Sequence, residues 1–315
     1  MSSMGNMKKY LIIDGSAVLH RAFHALPMFT SRAGIPTNAV YGFIKMTLSL
    51  VNQLQPDFLS IASDTPVPTF RKKLMPNYQA QRPKVADEFK VQIPLVQEFL
   101  KLSQIGNYLK EGFEADDVIS TLSKLSREES PDLFVYILTG DKDILQLVEK
   151  NTMIVMPKKG VSSLYYMDEE AVVKKLGISP MQVVDYKALV GDPSDNYPGI
   201  KGIGPKTATK LLAKYKTLEN IYQHQQELDL SLQQKLIDFE KEALLSKKLA
   251  KLVDNVEIDF SLKDNIVNNL NLTPELKAFL SKYSLNSIEK QIMKEIRGQK
   301  ESSVDKSDQN QLSFF

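Results

Sequence analysis

The N-terminal half of the chain alternates between short apolar runs and longer amphipathic stretches. Segments 17–29 and 40–54 have apolar residues at helical spacing. Short runs without polar alternation are typical of strands buried on both faces of a parallel sheet. Four such runs are Tyr10–Ile13, Phe58–Ser63, Leu133–Leu138 and Met153–Met156. Strands that alternate with helices predict an α/β domain with a parallel sheet and right-handed crossovers.

Acidic residues follow three of these predicted strands. Asp14 follows the first strand, Asp64 the second, and Asp141 and Asp143 the third. In parallel α/β sheets, ligands bind outside the carboxyl ends of the strands. Aspartate is also a common turn residue, which would explain one or two of these acids but not the whole set.

A further acidic group lies at a predicted helix start. Glu114, Asp116 and Asp117 directly precede the apolar run Val118–Leu122. Acids at this position can cap a helix and complement its dipole. One acid would meet that need, and three neighbouring carboxylates repel one another unless a cation holds them. Together with the strand-end acids, they predict a metal site at one edge of the sheet.

The composition restricts which metal such a site could bind. The chain has no cysteine and only three histidines, so its ligands would be oxygen atoms. Carboxylate clusters suit Mg²⁺ or Mn²⁺, and two such ions can activate a water and stabilise the leaving oxygen of a phosphodiester. The predicted chemistry is therefore phosphoryl transfer to water.

Length and composition indicate a globular protein. With 315 residues, 43% hydrophobic and 25% charged, the chain can form one large or two ordinary domains. No apolar run reaches the roughly 20 residues of a membrane span, and Met1–Lys9 lacks the apolar core of a signal peptide. We therefore expect a cytoplasmic protein without membrane contact, acting as a monomer.

A basic stretch follows Asp64. A solvated helix face is the usual explanation for such a run. Because this one follows a site acid directly, phosphate steering is the favoured interpretation. Its members are Arg71, Lys72, Lys73, Arg82, Lys84 and Lys90, with Tyr78 among them.

A glycine-rich segment, Pro198–Ala208, marks a second region that begins near Leu176. Its glycines do not match the dinucleotide fingerprint and fit a tight turn between two helices, with Pro205 opening the second. Backbone N–H groups at such a turn can bind phosphate. The spacing of Lys206, Lys210 and Lys214 places them on one helix face, which predicts a nucleic-acid contact. A merely solvated helix after a glycine turn is the alternative.

The chain resembles the 5′ nuclease family over about residues 8–297. That family includes the 5′→3′ exonuclease domain of bacterial DNA polymerase I, phage 5′ nucleases and flap endonucleases. The resemblance implies a PIN-like parallel sheet flanked by helices, a helical arch after Asp64, and a C-terminal helix–three-turn–helix domain. It rests on the segments Leu11–Ser16, Arg21–Pro27, Gly112–Val118, Thr139–Asp143 and Gly191–Gly204.

The resemblance also implies roles for individual residues. Two Mg²⁺ or Mn²⁺ ions would be bound, and a K⁺ ion would lie at the Gly199–Gly204 turn. The implied metal ligands are Asp14, Asp64, Glu114, Asp116, Asp117, Asp141, Asp143, Asp192 and Asp195. The implied DNA-binding residues are Arg21, Arg71, Lys72, Tyr78, Lys201, Gly202, Gly204, Lys206 and Lys210.

One position departs from the family pattern. The family usually has Tyr-Lys-x-x-Arg in the arch, whereas this chain has Tyr78-Gln79-Ala80-Gln81-Arg82. The arginine matches, and we expect Arg82 to be catalytic. The neutral amide of Gln79 cannot supply the lysine's charge to a developing phosphorane. Lys84 is our candidate for that charge, with Lys72 and Lys73 as alternatives.

The expected function is that of a 5′→3′ exonuclease and 5′-flap endonuclease in primer removal and repair. Its expected substrates are branched, nicked or flapped duplex DNA and RNA primers. A DNA-structure-binding module with weakened catalysis is the alternative that Gln79 favours. An RNase of the PIN type ranks lower, because such enzymes are generally shorter and lack the glycine turn.

We expect three parts: an α/β domain at 1–175, a helical DNA-binding domain at 176–297 and a tail at 298–315. Segment Gly298–Asn310 is polar and mixed in charge, which favours a flexible tether. It leads into the apolar cluster Gln311–Phe315, which resembles the bacterial sliding-clamp-binding motif. Docking on the protein's own surface is the alternative for this peptide.

Overall fold

The structure is a computed structural model that describes residues 7–83, 85–158, 164–267 and 272–293. A six-stranded sheet forms its centre, in the order β3-β2-β1-β4-β5-β6. Its strands are β1 (Lys9–Asp14), β2 (Phe58–Ala62), β3 (Gly106–Tyr108), β4 (Phe134–Leu138), β5 (Thr152–Pro157) and β6 (Leu164–Met167). The short strand β3 and the edge strand β6 are absent from the sequence-based prediction.

Strand β1 lies in the middle of the sheet, where the chain order reverses. It pairs in parallel with β2 on one side and β4 on the other, so that Leu11 is opposite Leu59 and Tyr136. Strands β3 and β5 extend the parallel sheet, and only β6 is antiparallel. Ligand sites of open α/β sheets lie at such a reversal, which places Asp14 at the centre of the carboxyl edge.

Helices cover both faces of the sheet. Their bounds are α1 (Gly15–Ala25), α2 (Asn38–Leu54), α3 (Phe70–Leu74), α4 (Asp87–Lys90), α5 (Ile93–Leu102), α6 (Ala115–Glu129), α7 (Glu169–Leu176), α8 (Val183–Val190), α9 (Pro205–Tyr215), α10 (Leu218–Gln223), α11 (Leu230–Asp238), α12 (Glu240–Ala250) and α13 (Pro274–Lys282). Because side chains of a strand alternate between faces, Leu11 and Ile13 pack with α1, α2, α5 and α13, whereas Tyr10 and Ile12 pack with α6 and the second region. The predicted parallel sheet flanked by helices is confirmed.

Prolines set boundaries that the sequence-based prediction missed. Helix α1 ends at Ala25 rather than at Phe29, because Leu26 precedes Pro27 and takes an extended conformation, with φ −111° and ψ 143°. The predicted arch after Asp64 contains only two short helices, α3 and α4, among the described residues. Pro76 and Pro83 lie between them, and proline inside a helix removes a hydrogen bond and clashes with the preceding turn.

The second region is built around a close backbone contact. Two-residue strands β7 (Gly191–Asp192) and β8 (Tyr197–Pro198) pair in antiparallel fashion between α8 and α9. A β-carbon on Gly199 would collide with the backbone of Val190 and Gly191, so only glycine fits there. This contact fixes the loop that leads into the glycine turn.

The chain then returns to the first region. The N–H of Val267 donates to the carbonyl of Asp57 at 2.8 Å, and Ile266 forms a bridge with Phe58. Phe279 and Leu280 of α13 are buried in the same core as β1. The C-terminal part of the predicted second domain therefore packs on the first. No helix in the described ranges is both long enough and apolar enough to cross a membrane.

Candidate active site at the carboxyl edge of the sheet

Six of the nine predicted acidic ligands line one cavity of about 510 Å³. Sheet geometry accounts for the convergence, because β1, β2 and β4 are neighbours whose carboxyl ends reach the same edge. The N-terminus of α6 and the β7–β8 loop contribute the remaining acids. The six are Asp14, Asp64, Glu114, Asp116, Asp141 and Asp195.

Short hydrogen bonds hold two of these carboxylates to neighbouring elements. Asp14 accepts from the N–H of Ala17 at 2.8 Å and from the hydroxyl of Thr139 at 2.7 Å, which ties β1 to α1 and to the end of β4. Asp64 accepts from the N–H of Ala115 at 2.8 Å, at the start of α6. The sequence-based prediction missed the buried Thr139, although it lies within a segment that carries the family resemblance.

Burial in the cavity makes ionisation of three of these acids, Asp14, Asp116 and Glu114, unfavourable. Burial raises the pKa of Asp14 to about 7, with a further contribution from the charges of Asp64 and Asp141. Burial, together with the charges of Asp141 and Asp14, raises the pKa of Asp116 well above its ordinary value. Burial also raises the pKa of Glu114 to about 7, although Arg71 opposes the shift. A cation would relieve the repulsion among these groups.

The donor set fits a hard divalent cation in kind, because every acid contributes oxygen atoms only. Across the described ranges, however, no group of three or more His, Cys, Asp or Glu side chains already has the geometry to hold an ion. The cavity therefore brings the predicted ligands into one space without forming a finished coordination shell.

Asp117 requires a correction, because it does not line the cavity. Its fully buried carboxylate accepts hydrogen bonds from Nη1 of Arg71 at 2.6 Å and from Nη2 at 2.8 Å. It also accepts from the N–H groups of Glu114 at 3.1 Å and Val253 at 2.9 Å. Because its charge is balanced and its oxygens are occupied in this way, Asp117 forms a structural ion pair with Arg71.

Asp143 and Asp192 also lie outside the cavity lining. Both pair with the buried ammonium group of Lys187, which belongs to α8. Burial raises the pKa of Asp192, but the hydrogen bond and charge of Lys187 outweigh it and leave the pKa below its ordinary value. The prediction assigned no role to Lys187; a lone lysine in the largely apolar segment Val183–Val190 was the available signal.

The arch segment divides into buried and exposed parts. Tyr78 is 2% exposed, and its hydroxyl donates to Asp195 at 2.9 Å and to Glu114 at 3.2 Å. Arg71 is 1% exposed. The predicted DNA contacts of Tyr78 and Arg71 are therefore corrected, because neither side chain reaches the surface.

The exposed members of the segment remain compatible with their predicted roles. Lys72, Gln79 and Arg82 line the cavity. Arg82 pairs with Asp195 at 2.7 Å while its side chain stays 55% exposed. The amide of Gln79 donates to Glu114 at 3.2 Å. Arg21 is half-buried on α1 and does not line the cavity, and Lys84 lies outside the described residues.

The glycine turn borders a second cavity, of about 580 Å³, whose lining includes Lys201 and Gly202. Gly202 has φ +85°, and Gly204 is the N-cap of α9. Lys206 and Lys210 are exposed, and neither forms an ion pair with another described residue. Lys214 differs from them, because it pairs with Glu227 at 3.0 Å.

Comparison with known families gives two matches that together cover most of the chain. Residues 9–177 match the family described as 5′-3′ exonuclease, N-terminal resolvase-like domain. Residues 178–273 match the family described as 5′-3′ exonuclease, C-terminal SAM fold.

Curated relatives fall into two length classes. A 5′-3′ exonuclease of Aquifex aeolicus is 39% identical over 292 residues, covering 92% of this chain and 97% of the relative. DNA polymerase I of Caldicellulosiruptor bescii is 44% identical over 260 residues, covering 81% of this chain. The chain spans 30% of that polymerase and 34% of the polymerase I of Lactococcus lactis subsp. lactis.

Solved structures share the fold at low sequence identity. A bacteriophage T5 flap endonuclease, in a pseudo-enzyme-product complex with DNA and metal ions, aligns with a TM-score of 0.63 and 18% identity, covering 78% of this chain and 90% of that one. The catalytic core of Rad2 in complex with DNA substrate aligns with a TM-score of 0.61 and 17% identity, covering 91% and 92%.

Proposed function

The chain belongs to the 5′-3′ exonuclease family, and from that premise we propose that it hydrolyses phosphodiester bonds at the 5′ side of branched, nicked or flapped duplex DNA. It acts as a 5′→3′ exonuclease and a flap endonuclease. The observation that carries the proposal is the convergence of six carboxylates on one cavity at the carboxyl edge of the sheet.

Divalent cations, Mg²⁺ or Mn²⁺, are the proposed cofactors. Asp14, Asp64, Glu114, Asp116 and Asp141 would hold them, because these five carboxylates line one cavity. Burial raises the pKa of four of them, so a bound cation would favour their ionised forms: Asp14, Glu114, Asp116 and Asp141. When bound, two such ions supply an activated water and stabilise the leaving oxygen of a phosphodiester.

Cationic side chains at the rim would orient the substrate. Among the described side chains, Arg82 pairs with Asp195 alone, and it remains largely exposed, so it can exchange that partner for a phosphate oxygen. Lys72 lies on the same cavity wall and adds a positive point charge. Gln79 and Tyr78 keep the Glu114 carboxylate oriented through their hydrogen bonds.

Duplex binding is assigned to the second region. The N–H groups at the start of α9 and the exposed Lys206 and Lys210 form one phosphate-binding surface. Lys201 and Gly202 border the turn beside it, where we place the K⁺ ion. A duplex held there would present its 5′ end to the carboxylates.

The cellular role that follows is primer removal and repair by a monomer, with RNA primers among its substrates. A second function, binding of DNA structures with weakened catalysis, is favoured by one observation. Position 79 carries a neutral amide that bonds to Glu114 where the family usually has lysine.

A cleavage assay separates these two functions. A 5′-labelled flap duplex should be cut when Mg²⁺ is present and stay intact in excess EDTA, with products read at nucleotide resolution. Binding without cleavage at any Mg²⁺ concentration would instead establish the binding module. Undiminished cleavage in EDTA would contradict the metal-dependent mechanism.

The tail provides a second proposed partner, a bacterial sliding clamp. Its cluster Gln311–Phe315 lies outside the described residues, so the proposal rests on sequence alone. Apolar side chains on a flexible tether can anchor in a partner's groove and raise the local concentration of the nuclease. A peptide covering residues 308–315 should bind the clamp with an affinity on the order of micromolar.

Alanine at both Leu312 and Phe315 should abolish that binding. The intact protein and a form truncated before Gln311 should differ in the same assay. Equal binding by both forms, or none by either, would contradict the proposal.

A further inference from the structure

Arg71 is the most deeply buried cation near the active site, with 1% of its side chain exposed. Its guanidinium has five N–H donors. Five oxygen atoms lie within 3.2 Å of its nitrogens: two of Asp117, one of Glu114, and the backbone carbonyls of Leu249 and Lys251. The planar fork is therefore saturated by the protein itself.

These contacts join three parts of the fold. Arg71 belongs to α3, directly after the loop that follows Asp64. Asp117 and Glu114 belong to the start of α6, and the two carbonyls lie at the C-terminal end of α12. A single side chain thus connects the arch segment, the carboxylate-bearing helix and the second region.

Further hydrogen bonds near Arg71 also hold the start of α6 to the second region. Val253 donates its N–H to Asp117 at 2.9 Å. Val256 donates to the hydroxyl of Thr121 at 3.1 Å, and that hydroxyl donates to the carbonyl of Asp117 at 2.9 Å. Lys124 of α6 also pairs with Asp254 at 3.3 Å near the surface, whereas Arg71 and Asp117 form the buried ion pair of this contact.

Cavity acids lie on the same helical turn. Glu114 and Asp116 face the carboxylate cavity, while Asp117 points away from it to Arg71. Any shift of α6 along its axis would move Glu114 and Asp116 relative to Asp14 and Asp141. The bonds of Arg71 oppose such a shift.

We propose that Arg71 is a positioning residue that fixes the start of α6, and with it Glu114 and Asp116, relative to the second region. The position of the cation site relative to the bound duplex is thereby fixed. This inference rests on the proposed metal-dependent nuclease function. It replaces the DNA contact expected from sequence with a role exerted entirely inside the protein.

Lysine is the informative substitution. Arg71→Lys keeps the charge but replaces a five-donor fork by a point charge with three donors, so it cannot serve both carboxylates and both carbonyls. Removing a residue that contacts and orients metal ligands typically lowers metal affinity by about 10- to 100-fold. We expect a loss of that order in Mn²⁺ affinity, measured by electron paramagnetic resonance without DNA.

Two further measurements distinguish positioning from DNA contact. The affinity of Arg71→Lys for a flap duplex in EDTA should stay within about twofold of wild type, since the residue is buried. Its single-turnover cleavage rate should recover towards wild type as Mg²⁺ is raised. Lys101→Met, an exposed change on α5 outside the cavity lining, should behave as wild type throughout.

Unchanged Mn²⁺ affinity in Arg71→Lys would overturn the proposal. If the same variant also bound the flap duplex more weakly, the DNA contact expected from sequence would be supported instead. If that variant does not fold, the pair replacement Arg71→Met with Asp117→Leu takes its place. Apolar replacement of a buried ion pair often preserves stability. A folded pair variant with wild-type Mn²⁺ affinity would refute the positioning role.

The wild-type protein separates this proposal from the proposed function. If wild-type protein binds Mn²⁺ but does not cleave the flap duplex, the nuclease proposal fails. The Mn²⁺ titrations of the variants still decide the role of Arg71 in that case.

Discussion

Acids of this chain fall into two groups that the sequence does not distinguish. Asp14, Asp116 and Asp141 face a shared cavity, and burial raises the pKa of each, with the charges of neighbouring cavity acids adding to the shift for Asp14 and Asp116. Asp117 and Asp143 are just as deeply placed, yet each contacts a buried cation, Arg71 or Lys187. Among the described residues, each acid of the second group has a cation in direct contact, and the acids of the first group have none.

The difference shows two ways in which a protein can bury a carboxylate. An internal cation with satisfied hydrogen bonds makes the acid part of the structure, and removing either partner is strongly destabilising. An acid without such a partner destabilises the fold at neutral pH but keeps its oxygen atoms available to an ion from solution. Active sites commonly retain acids without an internal cation partner, at the expense of stability.

The largest expected effect comes from removing an acid of the first group. Asp116→Asn or Asp141→Asn should slow single-turnover cleavage by about a thousandfold or more, because a bound metal supplies several kcal/mol of transition-state stabilisation. Flap binding should stay within a few-fold of wild type, since the proposed duplex contacts are lysines of the second region. Near-normal cleavage by both variants would contradict their assignment as metal ligands.

Stability should respond with opposite signs in the two groups. Asp117→Asn leaves Arg71 buried with less compensation and should lower the free energy of unfolding by about 3 kcal/mol. Asp116→Asn should raise it in EDTA at neutral pH, because it removes a charge whose ionisation the fold resists. Urea denaturation of both variants measures the two signs, and equal signs would refute the comparison.

A smaller effect is expected at the cavity rim. Gln79→Lys should speed single-turnover cleavage by about tenfold or more, as expected for one restored electrostatic contact. Gln79→Met, which loses the bond to Glu114 without gaining charge, is the control and should not accelerate cleavage. Arg82→Ala should be slow with either residue at position 79. No change in Gln79→Lys would show that another cation already fills the role.

The smallest effect concerns single lysines of the second region. Lys206→Ala and Lys210→Ala should each reduce the log–log salt dependence of duplex binding by about one unit, one phosphate contact apiece. Lys214→Ala is the matched control on the same helix, because Lys214 already pairs with Glu227. Unchanged slopes in the first two variants would show that these lysines are merely solvated.

Much of the fold followed from local pattern. The apolar runs at Tyr10–Ile13 and Phe58–Ser63 identified the central strands, because a fully buried parallel strand leaves a continuous apolar signature. Asp14 and Asp64 could be placed at one edge for the same reason. The end of α1 was missed by four residues at Leu26–Pro27. Strand β3, the three residues Gly106–Tyr108, is too short to recognise, and β6 was missed although Leu164–Met167 is an apolar run.

The sequence by itself determined that carboxylates would gather at the strand ends and at a helix start. Only the tertiary structure decided which of them face the cavity and which are neutralised. Asp116 and Asp117 are adjacent in the chain, but successive residues of a helix point about 100° apart. One therefore faces the other acids, and the other meets Arg71 from a different element. Arg71 lies far from Asp117 in the sequence, and Lys187 lies far from Asp143, so no local pattern could reveal these two pairs.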